Sequence, residues 1–242
     1  MTNDARPPAG QADDAARAAW RARLGWSFGL VADDPAVREA ALAHLVRAAR
    51  NTREALARSN ELWRLTQPLG TEEQYREPAF RQALEEYYEV RSRSLPDGLW
   101  DGEPGRDIRA WPGLPYALLF LEWEARHPQE WTAHAKAWGT KQALIRSVAV
   151  PGHDGAVRAQ LVRLVDVVVR RAHRCKDREY VRVARAVDGD ELRRRLHEAA
   201  DSDNPWARLH AGYVLRLLDR PELPNSRRVW RTWLASQPYD RS

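Results

Sequence analysis

The sequence predicts an all-α protein, and three observations carry that prediction. Apolar residues recur at helical spacing, as at Val37, Ala41, Leu42 and Leu45. Helix-start signals recur as well: an acidic or amide residue directly before proline stands at Asp34-Pro35, Glu77-Pro78 and Asn204-Pro205. No window alternates apolar and polar residues for long enough to require a strand. The nearest, Tyr180-Val181-Arg182-Val183-Ala184-Arg185, also reads as helix.

Taken in order, residues 1–14 read as a disordered tail, with Pro7, Pro8 and Gly10 among small polar residues. A first helix is expected over 15–24, stopped near Gly25. Asp33 and Asp34 before Pro35 start the next, Asn51-Thr52 restarts a further one, and Pro68-Leu69-Gly70 ends it. A helix from Thr71 to about Arg93 follows. Over 94–113 seven Pro and Gly residues break any regular element. Trp100 and Trp111 lie inside this stretch with Asp97, Asp101, Glu103 and Asp107. An indole buries roughly 150–250 Å², so the loop is expected to be ordered and packed, with both tryptophans at least half buried. Helices are then expected at 116–125, 128–138, 141–150, 156–173, 178–187, 190–200, 205–218 and 226–234. Residues 15–242 read as one domain.

Composition narrows the class. Of 242 residues, 43% are hydrophobic and 30% charged, which fits a soluble globular chain and excludes wholesale disorder. A single cysteine, Cys175, excludes an intrachain disulfide and a Cys-rich zinc site. The longest apolar run, Ala117-Leu118-Leu119-Phe120-Leu121, is far shorter than the roughly 20 residues of a membrane span. The first ten residues lack the apolar core of a secretory signal, so the expectation is a cytoplasmic protein without membrane contact. Arginine makes up 36 of the 39 basic residues, a bias that a GC-rich genome produces without selection on function. Eleven tryptophans are fewer in kind but heavier in area, as gap-fillers between helices or as interface residues. Net charge runs +2 over 1–70, −6 over 71–124 and +9 over 125–242. The basic C-terminal half suits an anionic partner, and the acidic middle repels one or holds a basic one.

One pattern repeats. Asp34-Pro35-Ala36-Val37-Arg38 with Ala41 is echoed by Glu77-Pro78-Ala79-Phe80-Arg81, by Asp154-Gly155-Ala156-Val157-Arg158 and by Asn204-Pro205-Trp206-Ala207-Arg208. The four arginines lie 43, 77 and 50 residues apart, close to the period of stacked helical hairpins. On these residues the chain resembles the HEAT-repeat family of α-solenoids, over about 33–93 and 154–219. The resemblance implies an irregular stack of helical hairpins, with a compact multi-helix bundle as the alternative. It departs over 94–150, where a long loop and Pro128-Gln129-Glu130-Trp131 fit poorly. In this register Val37, Phe80, Val157 and Leu209 are expected in the core, with Trp206 helping the fourth copy, and Arg38, Arg81, Arg158 and Arg208 at the rim.

Candidate functional residues concentrate late in the chain. Arg171, Arg174, Arg178, Arg182 and Arg185 are spaced 3, 4, 4 and 3, so a helix continued through Lys176-Asp177 makes them one stripe suited to phosphates. Arg174, Arg178 and Arg182 are expected to be exposed on one side. The alternative is a solvated face neutralised by Asp177, Glu179, Asp188 and Asp190. His127, Glu130 and His134 have ligand-like spacing, but Pro128 puts His127 before the helix, so no metal is expected. Cys175 beside His173 and Arg174 lacks an orienting partner and reads as a buried structural thiol. Glu85, Glu86, Glu89, Glu122 and Glu124 read as solvated surface. No phosphate loop or serine elbow is present and no cofactor is implied, so catalytic residues stay unassigned. Asp203-Asn204-Pro205-Trp206-Ala207-Arg208, with Trp230 and Trp233, is similar to helix starts in HEAT-like DNA glycosylases. That likeness implies tryptophans and a carboxylate acting on alkylated bases. The leading expectation is a non-enzymatic helical-repeat binding protein with a protein partner, whose surface includes Trp206, Arg208, Trp230 and Trp233. The alternative is nucleic-acid binding by the basic half. Oligomeric state is left open.

Overall fold

A computed structural model describes residues 9–100 and 107–236, and every regular element among them is helical. The described residues gather into two compact units, Met1–Lys136 and Ala137–Ser242, within the stretch expected to be one domain. Residues 1–8 of the expected tail, and Asp101 and Glu103 of the expected loop, lie outside the described residues.

In the first unit, helix α1 spans Ala9–Leu24, so the helix begins inside the stretch expected to be disordered. A 3₁₀ segment, Gly25–Val31, follows. Helix α2 then runs unbroken over Pro35–Thr66, 32 residues, where a restart at Asn51-Thr52 was expected. Thr52 caps nothing; its hydroxyl donates back to the Ala48 carbonyl at 2.9 Å. Helix α3 is Thr71–Arg76 and helix α4 is Pro78–Ser92, since Pro78 cannot continue the preceding turn. Helices α2 and α4 pack side by side. Helix α5, Leu114–Arg126, is the core of this unit, with ten of its residues buried. Against it lie the 25–31 segment and helix α6, Pro128–Ala135. Glu124, expected at the surface, is buried in α5.

The 94–113 stretch holds two short 3₁₀ turns, Asp97–Trp100 and Ile108–Ala110. Trp111 is 6% exposed and meets Trp20 edge to face at 5.3 Å, while Trp100 is partly buried. Gly113 allows this: a Cβ there would stand 2.4 Å from Trp111 and 2.6 Å from Trp20.

In the second unit, helix α7 spans Trp138–Val148 and helix α8 Gly155–Val169. A 3₁₀ turn, Asp177–Glu179, leads into helix α9, Tyr180–Ala186. Helices α10, Asp190–Ala200, α11, Pro205–Asp219, and α12, Arg227–Ser236, complete it. The core comes from α8 and α11, whose valines and leucines meet α9 and α10.

The repeat's helix starts are real, but its core register is not the expected one. Asp34, Asp154 and Asn204 each accept a backbone N–H one turn on. Phe80 is 3% exposed, as expected, yet Val37 is 47% exposed and Val157 and Leu209 are only half buried. Trp206 is 47% exposed and supplies little packing. The buried residues come a turn later, at Ala41, Leu161 and Ala211, each seven positions after the cap. The first turn is largely exposed in α2 and α8, whereas Phe80 of α4 and Ala207 of α11 are already buried in theirs.

Candidate site at the mouth of the second unit

The site begins where α8 ends. After Val169 the chain leaves the helix, and Lys176 adopts a left-handed conformation at φ 71°. The expected continuous helix over 156–173 and beyond is therefore broken, and the five-arginine stripe with it. One buried carboxylate holds the resulting loop. Asp177 accepts from the Lys141 ammonium at 2.6 Å and the Arg171 guanidinium at 3.2 Å through Oδ1, and from the Arg174 backbone N–H at 2.7 Å through Oδ2. Lys141 is wholly buried on α7, so both charges are desolvated and are kept by their mutual pairing.

A second clamp positions the chain before α12. Asn225 donates to the Arg178 carbonyl at 2.5 Å and accepts from the Tyr213 hydroxyl at 3.2 Å. Arg185 donates to the carbonyls of Leu217 and Leu223 at 3.0 and 2.7 Å. Asn204 caps α11 with its oxygen and donates its amide to the Arg170 carbonyl at 2.6 Å, which fixes the start of α11 against the end of α8.

These clamps bring five rings together. His210 and Tyr213 project from α11, Trp230 from α12 and His173 from the loop, with Trp206 stacked on His210 at 5.9 Å. Tyr213 meets Trp230 edge to face at 4.7 Å. His173 and Trp230 lie nearly parallel, 23° apart in plane with centroids 6.4 Å apart. Beneath them is an apolar cavity of about 30 Å³ walled by valines such as Val165, Val169 and Val214. A wider mouth of about 330 Å³ shares His173, Arg178 and Trp230 with it and is lined also by Arg227, Arg231 and Leu234.

Two electrostatic features mark this mouth. His210 is 8% exposed; its ring bonds the Val169 backbone, and Nε2 has no partner. Burial, then the neighbouring His173, pushes the His210 imidazole pKa down, so the neutral ring prevails. With Nδ1–H donated to the Val169 carbonyl, Nε2 presents a lone pair. Burial also lowers His173 and raises the Tyr213 phenol. At the rim, Arg178, Arg227 and Arg231 make no ion pair among the described residues. Elsewhere in this unit some arginines are paired, as Arg146 and Arg182 with Glu179 or Arg193 with Asp188 and Asp219, while Arg163, Arg220 and Arg228 likewise make no ion pair among the described residues.

The structure thus redistributes the expected site residues. Arg178 and Trp230 line the mouth. Arg171 is tied to Asp177, Arg174 lies over the Trp138 ring, Arg182 is exposed and paired, and Arg185 is a carbonyl cap. Arg208 is exposed and reaches back to the Ser202 carbonyl at 3.4 Å. Trp233 closes over Gly212. Cys175 is exposed, not buried. His127 precedes α6, and Glu130 is engaged by the Trp123 indole and by Arg38. Sequence spacing missed His173, His210, Arg227 and Arg231. The one available signal was Trp206 and His210 four apart on one helix face. A separate opening in the first unit, about 350 Å³ between Arg17, Arg21, Phe28 and Tyr116, has no buried unpartnered polar atom among its lining residues.

No group of three or more His, Cys, Asp or Glu able to hold a metal occurs among the described residues, and no helix there is long and apolar enough to cross a membrane. No protein-family model, curated protein or solved structure matches the chain.

Proposed function

We propose that the protein is a binding protein whose second unit engages a polyanionic macromolecule, nucleic acid in the first instance, through the arginines around Trp230. One observation carries the reading: three guanidiniums without carboxylate partners among the described residues meet at a single mouth beside a half-buried indole. This unit holds 21 Arg and Lys against 13 Asp and Glu, net +8, so the wider field favours an anion as well. Guanidinium forks suit phosphate oxygens, and indoles suit bases. Glycosylase-like chemistry is not part of the proposal, because Asp177, the carboxylate lining the cavity, is already committed to Lys141 and Arg171. A HEAT-type stack and a cytoplasmic setting belong to the same proposal. Support for the stack is the pairing of α8 with α9 and of α10 with α11.

The test is binding of labelled DNA and RNA across a salt series. The log–log slope should be about 0.7–0.9 per phosphate contacted, and Arg227→Gln or Arg231→Gln should each reduce it by about one such step. A flat salt response overturns the proposal. A second reading, the expected protein partner, draws on the first unit, where Trp63, Leu65, Leu69 and Tyr75 remain exposed around the turn from α2 to α3. Light scattering over a concentration series tests one such partner, a second copy of the chain.

A further inference from the structure

We propose that the mouth takes a single unstacked nucleotide, its phosphate on Arg178, Arg227 and Arg231, its base stacked on the ring surface of Trp230 and His173, and a base N–H donated to Nε2 of His210. This rests on the polyanion reading and sharpens it, because an arginine cluster alone accepts any phosphate.

Three features of the mouth single out a base. Trp230 is a half-buried indole at the mouth, and His173, exposed beside it, lies within 23° of its plane, so the two offer flat ring surface to a base. Next, Nε2 of His210 is a buried acceptor without a partner, an unfavourable state that a ligand donor would relieve. The cavity beside it is large enough for a water or one ligand substituent, not for a whole base. An exocyclic amine or ring N–H of a base that rests in the wider mouth is such a substituent. Finally, the two openings share His173, Arg178 and Trp230 as lining residues, so stacking surface, acceptor and phosphate-binding cations lie on neighbouring side chains.

The chemistry predicts a preference. In a duplex the base faces are stacked away and only phosphates are offered, so duplex should bind through the arginines alone. Every ordinary base carries an N–H donor, so little sequence preference should appear. A strand of abasic residues keeps the phosphates and loses both the ring and the donor.

Fluorescence anisotropy on the full chain, with a labelled 12-residue single strand, its duplex and an abasic strand of equal length, separates the possibilities. Wild-type protein should bind the single strand about tenfold tighter than either other probe. Trp230→Ala should bring single-strand affinity down to the abasic level and leave abasic binding within about twofold. His210→Phe keeps the ring and removes the acceptor, so single-strand affinity should fall several-fold with abasic binding unchanged. Arg231→Gln, at an exposed position, should weaken all three probes alike. Thermal melts confirm that each variant is folded. If His210→Phe melts early, Trp230→Ala and Arg231→Gln still decide. Equal binding of all three probes by wild-type protein overturns the base site and leaves the polyanion reading standing. No binding of any probe overturns both. Competition distinguishes the source of the nucleotide: AMP displacing the single strand where ribose 5-phosphate does not assigns the site to free nucleotides as well as strands. Equal displacement by the two overturns base recognition.

Discussion

Several arginines in this protein act on carbonyl groups. Arg126 donates to the Val31 carbonyl at 2.9 Å, Arg158 to Asp188 at 2.9 Å and Val187 at 3.2 Å, and Arg185 to Leu217 and Leu223. Helix ends leave carbonyls without intrahelical partners, and a guanidinium supplies several donors and a charge of the right sign there. So Arg158, expected to be a dispensable rim residue, is a cap for the end of α9. Replacing Arg185 by Gln should cost about 1.5–3 kcal/mol in urea denaturation, because charge-assisted bonds to two carbonyls are lost. Replacing exposed Arg182, whose partner is Glu179 on the surface, should cost well under about 1 kcal/mol. Equal costs would show that the carbonyl contacts stabilise nothing. The core register is tested in the same way. Leu161→Ala, at a wholly buried position, should cost about 2–5 kcal/mol, and Val37→Ala, at a largely exposed one, under about 0.5 kcal/mol.

At the scale of elements, boundaries set by local residues were legible, among them the ends of α1 at Leu24 and α10 at Ala200, and those set by distant residues were not. Proline with an acidic or amide neighbour marks Pro35, Pro78 and Pro205, and the structure begins α2, α4 and α11 there. That signal is local, written in two adjacent residues. The end of α8 is not local. Asp177 draws the chain out of the helix because Lys141, 36 residues earlier, is buried beside it. The unbroken α2 has a similar cause. Its buried face runs through Ala41, Leu45, Thr52, Ala55, Ser59 and Thr66, all but Leu45 small or polar, which looks like a break in an apolar pattern and instead allows close approach, as where Thr52 reaches the Val90 carbonyl of α4. Ala55→Leu should therefore overpack this face by about 1–3 kcal/mol, while Leu56→Ala next to it, at an exposed position, should be near neutral. A melting temperature insensitive to Ala55→Leu would mean the face is loosely packed. The candidate site was half legible for the same reason. Arg178 and Trp230 stood out by spacing and by type, but His210 becomes notable only when α11 and α12 fold back over the loop that carries His173.

Across the whole molecule, histidines with lowered pKa values shape how stability responds to pH. His44, His127, His173 and His210 all have pKa values lowered from 6.5, each chiefly by burial. A lowered histidine pKa means the unfolded chain takes up its proton first. The stabilising contribution is therefore complete above about pH 6.5 and is lost as pH falls from there toward the folded-state values. His210, the most buried of those in the second unit, faces His173, Asp177 and Arg171, and protonating it would put a cation beside His173. His173 is more open to water and should contribute less. Glu179 works in a separate window. Bonds from Arg146, Gln142 and Arg182 hold its carboxyl at about 2, so its contribution is present above 4.5 and is lost below that. The melting temperature should accordingly be level from pH 8 to 7, fall by several degrees between pH 6.5 and 5, and fall again below 4.5. His210→Phe should shrink the first fall and leave the second unchanged. Two of the lowered histidines lie in each unit, so calorimetry should find no unit spared in the first window. A melting temperature that holds steady from pH 6.5 to 5 would mean that these rings are solvated, and with them the acceptor that the nucleotide site requires.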